Sequence, residues 1–123
     1  MPTLKRNPGV IDLFENAEAQ SLRYTSAAAF TGLNKAMSAH YKRLKGVPLK
    51  DPKLYRREAD MVREVMGLKT GSWDDATPDQ LRTRQRLTAV LTACHDKNMG
   101  YQSRTQVLQQ AKAILDIVDG YEF

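Results

Sequence analysis

Apolar residues in this chain recur at steps of three and four almost throughout, and no run alternates apolar with polar residues as a half-buried strand requires. The fold class that follows is all-α, a small single-domain bundle of about five helices. The first is predicted over 8–23, with Val10, Leu13, Phe14 and Ala17 on one side. Thr25 or Ser26 can cap a second, in which Phe30, Leu33, Met37, Tyr41 and Leu44 follow at helical steps until Gly46. Asp51 before Pro52 marks a third start, because the carboxylate accepts from free backbone N–H groups and proline gives up nothing where its own N–H would be unpaired. Tyr55, Ala59, Val62 and Met66 form the stripe of that helix, widened by Leu54, Met61, Val65 and Leu68. No period crosses 67–76, a long connecting loop that Trp73 is expected to anchor. Thr77, Pro78 and Gln80 then supply a capping box for a fourth helix carrying Leu81, Leu87, Val90, Leu91 and Cys94. Ser103 with Gln106 repeats that signal before Val107, Leu108, Ala111, Ile114, Leu115 and Val118, and Gly120 ends the fifth.

A chain of 123 residues buries roughly two thirds of the surface its unfolded form exposes, enough for one core. Residues 1–123 are therefore read as one domain, with 1–8 as an N-terminal arm. The longest apolar run, residues 27–30, falls far short of the roughly 20 residues a membrane-spanning helix needs. Lys5 and Arg6 are followed by Asn7, Pro8 and Gly9 rather than by the apolar segment of a secretory signal. One cysteine, Cys94, cannot build an internal disulfide and suits a reducing compartment. The expected location is the cytoplasm, or a host cell's cytoplasm if the protein is viral.

The residue inventory argues against catalysis. Cys94 shares an apolar face with Leu87 and Leu91, where a thiol stays protonated. His95 points about 100° away from it on the same helix, so adjacency does not make the two a nucleophile and base. With His40 the only other histidine, no metal-ligand spacing exists, and the glycines form no phosphate-cradling loop. No enzyme activity, cofactor, metal or small-molecule substrate is expected.

Charge carries more information. Nineteen Lys and Arg against fourteen Asp and Glu leave +5, and the excess is concentrated. Residues 42–57 hold seven cations and one acid, while 81–95 hold Arg82, Arg84 and Arg86 with no acid. Lys35, Ser38, Lys42 and Lys45 step along one face of a helix, a stripe able to track phosphates without reading bases. Arg56, Arg57 and Arg63, by contrast, share their helix with Glu58, Asp60 and Glu64 and should pair with them within a turn, on a solvated face.

Residues 25–45 resemble the helix-turn-helix of phage repressors and phage small terminase subunits, through Ala28 four residues before Gly32 and Asn34 placed to cap a second helix. That resemblance implies a recognition helix over 35–45, offering Asn34, Lys35, Ala36, Ala39, His40 and Arg43 to a major groove. The other reading is an unbroken helix over 26–45, which gathers all five apolar side chains from Phe30 to Leu44 on one face and pays only the ~1 kcal/mol cost of Gly32 within it.

The expected function is thus non-enzymatic binding of nucleic acid, DNA or RNA, mainly through phosphate contacts from Lys35, Lys42, Arg43, Lys45, Lys50, Arg82 and Arg86. The alternative is a small accessory, viral structural or inhibitor protein that acts on a larger protein or nucleoprotein assembly through exposed apolar residues: Trp73, Met99, Tyr101, Tyr121 and Phe123.

Overall fold

A computed structural model describes residues 8–69 and 73–119. It contains four α-helices and, among the described residues, no strand: α1 (Pro8–Lys45), α2 (Pro52–Val65), α3 (Pro78–Asp96) and α4 (Tyr101–Asp119), with a short 3₁₀ turn at Trp73–Asp75. The first two predicted helices are one. Thr25, offered as a cap, instead turns its hydroxyl back onto the carbonyl of Ser21 at 3.0 Å, and Thr31 does the same to Ala27 at 3.1 Å. Hydroxyls spent on the preceding turn cannot cap a following one, and nothing at 23–26 forbids helical backbone.

The helix-turn-helix reading fails for a related reason. α1 runs straight through Gly32, whose φ is not among the positive values that mark Gly46 and Gly67. Ala36 and His40, proposed as groove-reading residues, are buried. Gly32 is exposed, and a Cβ built there meets nothing within 4 Å. Gly32→Ala should therefore stabilise the protein by about 1 kcal/mol, read as a rise in the urea midpoint. Destabilisation would indicate a turn at this position.

Most other boundaries follow the sequence signals. Asp51 accepts from the Lys53 amide at 2.9 Å and starts α2, while Thr77 and Gln80 bond reciprocally, at 3.1 and 2.9 Å, and start α3. α2 ends at Gly67, φ +73°, where the Leu68 amide reaches the Arg63 carbonyl and the Gly67 amide that of Glu64. α3 ends in the same motif with Asn98, φ 57°, in the left-handed position. α4 starts at Tyr101, two residues earlier than its predicted cap, directly after Gly100, whose carbonyl accepts from the Arg104 amide. Ser103 and Gln106 consequently lie inside the helix rather than at its mouth. The predicted stop at Gly120, like residues 1–7 of the N-terminal arm and 70–72 of the loop, lies outside the described residues.

Phe30 meets Arg84, His40 meets His95 and Arg43 meets Asn98, so α1 and α3 run side by side in the same direction. Arg57 with Tyr101, Glu58 with Arg104 and Met61 with Thr105 set α2 along α4 in the same way. The four helices share one core of Leu33, Met37, Met61, Val62, Leu87, Leu91 and Leu108. A fully buried leucine contributes about 1.5–3 kcal/mol, and Leu33, Leu81, Leu87, Leu91 and Leu108 are all sealed from solvent. The predicted stripes overreach at their ends. Leu44 is 70 % exposed because α1 outruns its neighbours there, and Ile114 and Val118 on α4 are likewise exposed.

Candidate functional site

Lys35, Lys42 and Lys45 lie exposed along the C-terminal part of α1, and Lys50 is exposed in the loop that follows. Among the described residues no carboxylate comes within ion-pair distance of any of the four. Ser38, between them, is half-buried, with its hydroxyl 2.6 Å from that of Tyr55. Arg43 is exposed but committed: its Nε donates to Asn98 Oδ1 at 2.8 Å and its Nη2 to the His95 carbonyl at 3.1 Å. It thereby clamps the C-terminus of α3, where the helix dipole favours a cation.

The second predicted cationic cluster is partly engaged within the protein. Arg82 pairs with Asp79, three residues earlier and just outside the acid-free stretch, and Arg86 also has interactions of its own. Arg84 is half-buried between two aromatic faces, 4.6 Å from the centroid of Phe30 and 4.3 Å from that of Trp73. Burial lowers its pKa below the ordinary arginine value. Trp73 therefore anchors its loop by stacking, as its position suggested, and is half-buried rather than presented to a partner. Met99 is half-buried, with its carbonyl accepting from Arg104. Tyr101 is exposed, with the Arg57 guanidinium 4.5 Å from its ring centroid. Tyr121 and Phe123 lie outside the described residues.

Beneath the lysine-bearing end of α1 sits a buried polar chain to which every helix gives one residue: His40 from α1, Glu58 from α2, His95 from α3 and Arg104 from α4. Glu58 Oε1 accepts from Arg104 Nε at 2.7 Å and stands 2.7 Å from His95 Nε2, while the Nδ1 atoms of His95 and His40 are 2.8 Å apart. Glu58, wholly buried, corrects the expectation of a solvated carboxylate pairing along its own helix. Its nearest own-helix cation, Arg57, has Nε 3.5 Å from Oε2, and Oε2 has no hydrogen bond. Burial alone would raise the carboxyl pKa, but the hydrogen bonds from His95 and Arg104 outweigh it and hold Glu58 below its ordinary value.

The protonation pattern follows from geometry. An ionised Glu58 only accepts, so His95 carries its proton on Nε2, facing it. In a neutral pair His95 Nδ1 is then the acceptor and His40 Nδ1–H the donor, leaving His40 Nε2 a bare lone pair. That atom has no partner among the described residues, nor is it sealed in the core. His40 lines a cleft of about 430 Å³ between α1, α2 and α4, walled by Met37, Tyr41, Leu44, Leu49 and Leu54.

Sequence reasoning does not assemble this site: it sets Glu58 on a solvated face and does not single out Arg104, although the spacing of all four residues carries a signal. Glu58 stands four residues after Leu54 and three before Met61, and Arg104 stands three before Val107 and four before Leu108. His40 follows Met37 by three, and His95 follows Leu91 by four. Two opposite charges and two imidazoles on apolar stripes are the signal. No group of three side chains able to hold a metal occurs among the described residues. No helix of the described residues is long and apolar enough to cross a membrane. No known family model, curated protein or solved structure matches this chain.

Proposed function

We propose that this protein binds nucleic acid through the phosphate backbone, using Lys35, Lys42 and Lys45 along α1 and Lys50 in the loop that follows it. The observation that carries the reading is that all four ammonium groups are exposed with no carboxylate beside them among the described residues. From Lys35 to Lys45 the helix rises about 15 Å, and a duplex presents a phosphate on each strand about every 3.4 Å of its axis, so the stripe can meet several phosphates together. Lysines offer point charges rather than the bidentate forks that read guanine, so the reading implies little preference for sequence. Arg43, Arg82 and Arg86 take no part in it as free cations, being engaged within the protein.

Four phosphate contacts on duplex DNA give a slope of log K against log salt of about −3.6. Fluorescence anisotropy with a random duplex between 50 and 200 mM salt should show it, and joint replacement of Lys35, Lys42 and Lys45 by alanine should reduce the slope to about −1 with helicity intact. Absence of binding to DNA and RNA at low salt would overturn the reading. The competing reading, contact with another polypeptide, is favoured by the exposed Tyr101, Ile114, Ile117 and Val118 of α4 rather than by the half-buried Trp73 and Met99. Association through those residues would barely respond to salt.

A further inference from the structure

The cleft beside the histidine pair combines three properties that do not belong to a merely structural network. Its volume, about 430 Å³, is that of a small-molecule site, and its walls are five apolar side chains. Lys45, Arg57 and Arg104 line it, while Glu58, ion-paired to both arginines, is the one carboxylate beside it among the described residues. At one wall sits an imidazole, more than nine-tenths buried, whose Nε2 has no partner among the described residues. Apolar walls under surplus positive charge suit an apolar chain or ring ending in an anion.

We propose that this cleft binds a small amphiphilic carboxylic acid, its apolar part against Met37, Tyr41, Leu44, Leu49 and Leu54 and its carboxylate on His40 Nε2 and Arg57. The proposal stands apart from nucleic-acid binding and does not depend on it.

The histidine pair makes the binding proton-linked. In the neutral pair His40 Nε2 is a lone pair, which repels a carboxylate. One added proton goes to that lone pair: His40 keeps its Nδ1–H on His95 Nδ1, whose Nε2–H still faces Glu58, and the new His40 Nε2–H donates to the ligand. The proton comes from the buffer or arrives on the acid itself, and the balance is the same. The groups facing His40 are His95 from α3, Glu58 from α2, Arg104 from α4 and Arg43 on its own helix. Burial first, then His95, Arg104 and Arg43, hold the His40 pKa below its ordinary value of 6.5, and Glu58 opposes them. A bound anion adds to the side of Glu58.

Calorimetric titration of the full chain with decanoate, in two buffers of different ionisation heat, tests this. One equivalent should bind with uptake of about one proton, and affinity should fall about tenfold per pH unit between pH 7 and 8. Decanol, with the same chain and no acid, should bind at least tenfold more weakly and without pH dependence. Arg57→Ala changes an exposed side chain and should weaken decanoate at least tenfold with the fold intact. His40→Asn, if folded, should abolish proton uptake, and the imidazole NMR signals of the unaltered protein report the same proton if it is not. Failure of decanoate to bind, equal affinity for decanol, or binding without proton uptake would each overturn the proposal.

Discussion

Glu58→Leu should lower the unfolding free energy by about 3–5 kcal/mol, because removing one partner of a buried pair leaves the other as an uncompensated charge. Arg104 is the charge left behind, 4 % exposed, with Nη1 still donating to the Met99 carbonyl and Nε facing nothing. His95 loses its Nε2 partner in the same step. For a domain of this size, with a total stability of roughly 6–18 kcal/mol, that is a large fraction of the whole. Adding Arg104→Met should recover much of the loss, since a neutral, well-packed pair no longer carries a desolvated charge. Urea unfolding of both single variants and the double closes the thermodynamic cycle, and the double should be more stable than Glu58→Leu alone. A Glu58→Leu protein within 0.5 kcal/mol of the parent would show that this carboxylate is hydrated.

Such a network ties four helices at one point, and that explains why the sequence reading, which sets Glu58 on a solvated face and does not single out Arg104, misses it as a site. Helical period places Glu58, Arg104, His40 and His95 on core-facing stripes, but period says nothing about which stripes meet. His40 and His95 lie 55 residues apart, and Glu58 and Arg104 lie 46 apart. Only the parallel run of α1 against α3 and of α2 against α4 brings them within hydrogen-bond distance. The same gap between local and global information explains Leu44 and the end of α4. Their spacing is amphipathic, but exposure is decided by where neighbouring helices stop.

Local chemistry was more reliable where side chains fix backbone ends. Asp51 with Pro52 and Thr77 with Gln80 satisfy free amides wherever the helices later pack, so these starts could be read directly. Thr25 shows the limit of that reasoning. A hydroxyl can cap the next turn or bond the previous one, and residue type does not choose between them. Arg82 shows another limit, since its partner Asp79 lies three residues earlier, outside the acid-free run that carries the cluster.

Acid should unfold the protein in two stages with different owners. His40 has its pKa held below 6.5 in the fold, chiefly by burial, so the unfolded chain takes up this proton first. Its contribution is complete above pH 6.5 and is lost as pH falls below that value. Glu58 is held below 4.5 despite its burial, by the hydrogen bonds from His95 and Arg104, so its contribution persists to lower pH and is lost as pH falls through 4.5 and beyond. Cys94 acts in the opposite direction: burial pushes the thiol above 9.0, and the fold loses stability as alkali ionises that cysteine in the unfolded chain. Stability should accordingly be flat between about pH 6.5 and 9, with urea midpoints falling on either side. His40→Asn should flatten the first acid stage and leave the second, while Cys94→Ala should flatten the alkaline limb alone. A midpoint unchanged from pH 7 to pH 5 in the parent would mean that His40 titrates as freely in the fold as in the open chain, and the proton chain from Glu58 to the cleft would then lack its outer member.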